Sequence, residues 1–294
     1  MPELPDVTVY IEALQRFVVG HTIERARALN PFILRSVEPP LSAVEQREVT
    51  GVARVGKRIV LSMSGDIHVV VHLMIAGRLR WRPLGEKVAG KLAQAAFEFA
   101  HGTLYLTEAG SKRRASLHVV RGMANVRAMD RGGLDVFVAT RDQFVAQLRK
   151  ENHTLKRSLT DPRFFDGIGN AYSDEILHRA RLSPLLLTSR ISDEEATRLL
   201  DATRLTLTEW IERIRNETAD GFPETVTAFR EGMAVHGRYG KPCPVCGTPV
   251  QRIRYADNET NYCARCQTGG RLLADRALSR LLKEDWPRSI DELE

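Results

Sequence analysis

Cys243-Pro244-Val245-Cys246, sixteen intervening residues, and Cys263-Ala264-Arg265-Cys266 together hold every cysteine of the chain. Two C-x-x-C knuckles at this separation bring four thiolates into a tetrahedron around Zn²⁺ and close a two-stranded ribbon. Gly247, just after the first pair, suits the tight turn of a knuckle. Four protein ligands leave no open coordination position, so the expected metal is structural, one per chain, and worth roughly 10 kcal/mol or more to the folded ribbon. Two disulfides would be the alternative in a secreted chain. A chain of 294 residues needs no such staples and opens on no charged-then-apolar leader.

Arg238, Lys241, Arg252, Arg254, Arg265, Arg271, Arg276 and Arg280 crowd around the knuckles. A rigid basic ribbon suits a phosphate backbone, and the formal net charge of +6 favours an anionic partner. A hydrophobic content of 43% with 27% charged residues is that of a globular protein with proper cores. No apolar run approaches a membrane span, so a cytoplasmic protein with no membrane partner is expected.

Outward from the ribbon, the pattern changes twice. Pro5 suits a helix start, and Val7, Tyr10, Ile11, Leu14, Phe17 and Val18 recur at helical spacing up to Gly20. Residues 22–131 read as β structure. Val49–Val55, Arg58–Met63, His68–Leu73, Phe97–Phe99 and Thr103–Leu106 are short strands, the last two joined across His101-Gly102, and their number and spacing predict two packed sheets. Arg131-Gly132-Gly133 marks the exit. Residues 141–150, 170–181 and 193–215 then carry amphipathic helical patterns. Gly167-Ile168-Gly169-Asn170 opens the second of these, and a glycine turn before Asn at a helix start presents N–H groups that suit a phosphate. At the other end, removal of Met1 would expose Pro2 as a secondary amine, able to attack an aldehyde-like carbon and form an iminium, with Glu3 beside it for proton transfer.

These pieces resemble the formamidopyrimidine-DNA glycosylase and endonuclease VIII family of base-excision repair enzymes, through nearly the whole chain. The family's Pro-Glu-Leu-Pro-Glu start is similar to Pro2-Glu3-Leu4-Pro5-Asp6, and its lysine before an apolar strand to Lys57 in Gly56-Lys57-Arg58-Ile59-Val60-Leu61. Its His-Leu-Gly-Met-Ser-Gly corresponds to His72-Leu73-Met74-Ile75-Ala76-Gly77, and its Gly-Val-Gly-Asn-Ile-Tyr to Gly167-Ile168-Gly169-Asn170-Ala171-Tyr172, with Glu175 following. Gly237-Arg238-Tyr239-Gly240-Lys241-Pro242-Cys243 leads into the zinc finger. The resemblance implies an α+β chain: an N-terminal β-sandwich with a leading helix (1–131), a helix-two-turns-helix domain (132–225), a zinc finger (226–270) and a partly helical tail (271–294), with DNA held between the sandwich and the helical domain. It also implies a DNA glycosylase with AP lyase activity acting on double-stranded DNA that carries a damaged base or abasic site. Pro2 is then the Schiff-base nucleophile, Glu3 the acid/base, Lys57 a catalytic and phosphate contact, and Asn170 a phosphate clamp. The damaged nucleotide must leave the stack for the amine to reach it.

Three departures from the family pattern bear on the DNA grip. The family's phosphate-gripping arginine near the finger tip falls at Asn258, between Asp257 and Glu259, with Arg254 as a possible substitute. The intercalating methionine falls at Ile75, still apolar. The Asp-Pro-Arg-Arg-Phe-Gly loop is replaced by 107–116, which keeps Lys112 and Arg113 but no aromatic wedge. Glu3-Leu4-Pro5 is nearer the formamidopyrimidine branch, which points to an oxidised purine. The alternative is a DNA-structure binder that keeps the fold without turnover; a zinc-ribbon protein acting on RNA leaves the N-terminus unexplained.

Overall fold

The computed structural model describes residues 1–294 except 87, 89–91, 110–111, 225, 227–229, 256–257, 284–285 and 294, and except the side chains of 276–278. It divides into two compact units, residues 1–131 with 210–227, and residues 132–209 with 228–294. Among the described residues no helix is long and apolar enough to cross a membrane.

The first unit begins with α1 (Leu4–Phe17). Its N-terminal turn is fixed by Asp6, whose Oδ2 accepts the Glu3 N–H at 2.9 Å; an unpaired N–H at a buried helix start would be costly. Val7, Tyr10 and Leu14 enter the core from one stripe of this helix. Nine strands follow among the described residues: β1 (Thr22–Ile23), β2 (Arg25–Ala28), β3 (Arg47–Val55), β4 (Arg58–Met63), β5 (Ile67–His72), β6 (Gly77–Pro83), β7 (Ala93–Phe99), β8 (Gly102–Glu108) and β9 (Ser116–Arg121). They form two antiparallel sheets, ordered β1-β3-β4-β5-β9 and β2-β7-β8-β6. Alternation decides which side chains fill the space between them. Ile59, Leu61 and Met63 join Phe97, Phe99, Leu104 and Leu106 in the main core, while Val60 turns to the other face and packs with Val70 and with Val126 of α2 (Met123–Arg127).

Two turns carry functional candidates. Val55 pairs with Arg58, so β3 and β4 are joined by Gly56-Lys57 alone, with Gly56 at φ +61°. A positive φ at the first of two turn residues matches the twist of the strands, and it sets Lys57 at the hairpin apex. Between β5 and β6 the chain reverses through Met74 at φ +51°. The Gly77 N–H closes that turn on the Leu73 carbonyl at 2.9 Å, and a Cβ at Gly77 would lie 2.2 Å from that oxygen. The turn leaves Ile75 59% exposed.

The β7–β8 reversal is one residue earlier than the sequence suggests. Phe99 pairs with Gly102, which makes Ala100-His101 the turn and Gly102 the first strand residue. Gly102 lies against the Trp81 ring, where a Cβ would come within 2.4 Å of the indole. Glycine here serves close packing rather than the turn.

The second unit carries α3 (Arg141–Arg149), α4 (Leu155–Thr160), α5 (Asn170–Arg179) and the first part of α6 (Asp193–Thr218). Thr140 and Thr154 cap α3 and α4 through their hydroxyls. Phe144 of α3 packs on Phe165 at 4.8 Å between ring centroids. The ribbon of β10 (Gln251–Tyr255) and β11 (Asn258–Tyr262) is followed by α7 (Ala264–Thr268) and, in the tail, α8 (Arg276–Leu282). The tail is part of the ribbon's core: Leu272, Leu273 and Ile290 pack on Ile253 and Tyr262. The Ile290 N–H donates to the Gly270 carbonyl, and Arg265 pairs with Asp291.

Candidate functional site

In the first unit Pro2 and Glu3 are buried at the head of α1. Burial pulls the amino terminus of the chain below its ordinary value; the Glu3 and Asp6 charges oppose that shift, and those of Arg78 and Lys57 add to it. Charges of both signs therefore act on the amino terminus at Met1. Lys57 lies on the β3–β4 hairpin and Arg78 on β6. Arg78 is held by donation to the Ile75 carbonyl at 3.1 Å and to that of Gly77 at 2.6 Å, and it also binds the Val226 carbonyl.

His72, at the end of β5 and opposite Arg58, adds a neutral imidazole. Burial first, then the Arg58, Lys57 and His118 charges, push it down to about 4. His72 and Arg78 were not singled out from sequence. Arg78 lies in Gly77-Arg78-Leu79-Arg80-Trp81-Arg82, where alternating arginines read as the solvated side of a strand, and only the turn geometry distinguishes it from Arg80 and Arg82, which pair with Glu224.

Lys112 and Arg113 are exposed, beyond the end of β8. Buried Glu108 closes this loop, accepting the Arg114 N–H at 2.8 Å and the Ala115 N–H at 3.1 Å. Gly110 and Ser111 of the same loop are outside the described residues.

In the second unit α5 organises the candidate residues. Lys156 of α4 donates to the Asn170 carbonyl and to Asp174 Oδ1, each at 2.6 Å. The Asn170 side-chain amide donates to the Glu259 carbonyl at 2.9 Å, which ties the helix start to the ribbon next to Asn258. Glu175 accepts three consecutive main-chain N–H groups, of Ala234, Val235 and His236, at 2.7–2.9 Å, so a residue met in the sequence only as part of a motif holds the segment leading into the finger.

Arg254 and Asn258 lie on opposite faces of the hairpin. Tyr255 pairs with Asn258 and Arg254 with Glu259; strand alternation places Asn258 on the face of buried Ile253, and Arg254 on that of Arg252 and Glu259. Arg254 therefore does not stand where an arginine at 258 would. Its N–H is held by Asp275 of the tail at 3.0 Å. Asp257 lies outside the described residues.

The four cysteine sulfurs lie within 4.8 Å of one another, with Cys243–Cys266 at 3.9 Å and Cys246–Cys263 at 3.4 Å. A tetrahedral site with Zn–S bonds of about 2.3 Å has edges of about 3.8 Å, so the cluster fits the ion. One structural zinc belongs here, bound by this set of thiols.

A sandwich, a helical pair with Asn at a glycine-led helix start, and a four-cysteine ribbon, in that order, make the Fpg-like architecture. Residues 1–123 match the formamidopyrimidine-DNA glycosylase N-terminal domain, 137–220 its H2TH domain, and 240–269 the zinc finger found in FPG and IleRS. The formamidopyrimidine-DNA glycosylase of Solibacter usitatus is 32% identical over 271 residues, 91% of this chain and 99% of the relative. The crystal structure of the MutM (Fpg) protein from Thermus thermophilus aligns at TM-score 0.76 and 30% identity, covering 90% of this chain and 98% of that one. A Lactococcus lactis Fpg in complex with abasic-site DNA aligns at TM-score 0.81 and 22% identity over 90% and 99%, a likeness of fold. This chain belongs to the formamidopyrimidine-DNA glycosylase family.

Proposed function

We propose that the protein is a bifunctional DNA glycosylase and AP lyase of base-excision repair that removes an oxidised purine from duplex DNA. The observation that carries the reading is the buried head of α1, which holds Pro2 beside Glu3, next to a Met1 amine that burial and the charges of Arg78 and Lys57 depress. A secondary amine at Pro2, freed by removal of Met1, attacks C1′ of the flipped-out nucleotide. The N-glycosidic bond breaks, the base leaves with a proton, and the sugar ring opens as its O4′ gains a proton from Glu3. The resulting iminium acidifies C2′; loss of that proton breaks the C3′–O3′ bond and expels the 3′ phosphate. Burial and the neighbouring cations, which lower the Met1 amine in the intact chain, would favour the neutral, attacking form of an amine at Pro2. Lys57 holds a phosphate and takes part in the proton movements.

The same reading makes Ile75 the wedge that fills the gap left by the extruded base, and Lys112, Arg113, Asn170, Arg254 and Asn258 the groups that meet the backbone. The partner is double-stranded DNA with a damaged base or abasic site, bound by a monomer. The test is to incubate the protein with an oxidised-guanine duplex, an oxidised-pyrimidine duplex and an abasic duplex, and to measure base release and strand scission separately. Release from the purine lesion together with scission at the abasic site is expected. Binding without either reaction would leave a DNA-structure binder.

A further inference from the structure

Helix α5 reaches the zinc site from its far end. His178, the penultimate residue of the helix and 6% exposed, places Nε2 3.3 Å from Cys243 Sγ. A zinc-bound cysteine is a thiolate, with lone pairs and no proton to give. The hydrogen of this contact therefore belongs to the imidazole, which fixes the Nε2–H tautomer.

Four thiolates around one Zn²⁺ carry a net charge of −2, and N–H donors to sulfur spread that charge and orient the ligand. Cys243 is also the most buried member of the first knuckle, where solvent can supply least of this help. The other anchors of α5 give the contact its reach. Asn170 holds the Glu259 carbonyl, Asp174 accepts from His236 Nδ1 at 2.8 Å, and Glu175 holds the 234–236 main chain. One ten-residue helix thus grips the hairpin at its start, the lead-in segment at its middle and a metal ligand near its end.

We propose that His178 is a positioning residue for the zinc centre: it donates its Nε2–H to the Cys243 thiolate and makes zinc retention dependent on α5. The claim is independent of whether the protein turns over DNA, and its test reads the metal. Zinc release from the full-length protein into excess chromogenic chelator is followed for wild type, His178→Leu and His178→Gln. Leucine keeps the bulk without a donor; glutamine keeps an N–H near the Nε2 position. His178→Leu should release zinc about 10- to 100-fold faster, and His178→Gln should stay within a few fold of wild type. Equal rates in wild type and His178→Leu overturn the proposal. So do equally fast rates in the two variants, which would make the role one of packing.

A second readout applies where the leucine variant folds poorly. In Co²⁺-substituted protein, His178→Asn, whose amide falls short of the sulfur, should shift the thiolate-to-metal charge-transfer band to lower energy. An unchanged band means that no hydrogen bond reaches Cys243.

Discussion

The Asn170 amide donates to the Glu259 carbonyl at 2.9 Å, so the residue at the start of α5 is also a tie to the tip of the ribbon. An asparagine expected only to meet phosphate already has one of its donors engaged. Replacing it with aspartate turns that donor into an acceptor facing a carbonyl, and adds a negative charge where a phosphate is expected. Asn170→Asp should lower affinity for damaged and undamaged duplex alike, by about tenfold or more, and by more than Asn170→Ala does. Fluorescence anisotropy on matched duplexes measures this. A loss confined to the lesion duplex would place Asn170 at the base rather than the backbone.

Arg78 is expected to set the pH dependence of the amine. Burial is the largest cause of the depressed Met1 amine; the charge of Arg78, like that of Lys57, adds to it, and the same charge near an amine at Pro2 would favour the unprotonated form that attacks. Removing the charge raises the pKa of that amine, so at a given pH more of it is protonated and idle. In Arg78→Met the acid limb of the activity profile should move to higher pH, with the rate recovering at alkaline pH. Single-turnover rates across the acid and neutral range, read with wild type alongside, give the sign directly.

Asn258→Arg should tighten binding to duplex DNA and steepen the salt dependence by about one unit of log K against log salt. The hairpin register supports this, because Arg254 points to the opposite face and leaves the position of residue 258 to a neutral amide. Titrations at several salt concentrations measure both quantities. An unchanged slope would mean that this face of the hairpin does not approach DNA.

The tail should prove structural for the finger. Ile290 is 2% exposed and shares a core with Ile253 and Tyr262. Ile290→Ala should cost the zinc-bound ribbon about 2–5 kcal/mol, seen as a lower denaturant midpoint in a probe on the second unit, while the sandwich unit keeps its transition.

Local rules made much of this legible. Cysteine spacing located the metal site, because four ligands at two short intervals have few other uses. Short β-branched runs such as that in Arg58–Met63 located strands, and the Pro5-led apolar stripe located α1. What stayed hidden was non-local. His178 is 65 positions from Cys243, a lone histidine on a helix with no spacing signal. Glu175 is 59 to 61 positions from the N–H groups it holds. Arg78 looks like its neighbours until the turn at Met74 aims it. Gly102 looked like a turn residue because glycine is common there; the packing of Trp81 against its Cα explains it instead. The helix of the tail was visible, but the place of Leu272, Leu273 and Ile290, outside that helix, in the ribbon's core depends on which face Ile253 turns, and that is decided by the hairpin register.

The central claim is that Pro2 is the nucleophile. Its most direct measurement is borohydride trapping on an abasic-site duplex, with protein whose Met1 has been removed and protein whose N-terminus is blocked by a tag, followed by mapping of the adduct. The account predicts a covalent protein–DNA adduct on Pro2 for the free N-terminus and none for the blocked chain, although both bind DNA. Equal trapping by the two, or an adduct mapped to Lys57, would contradict it.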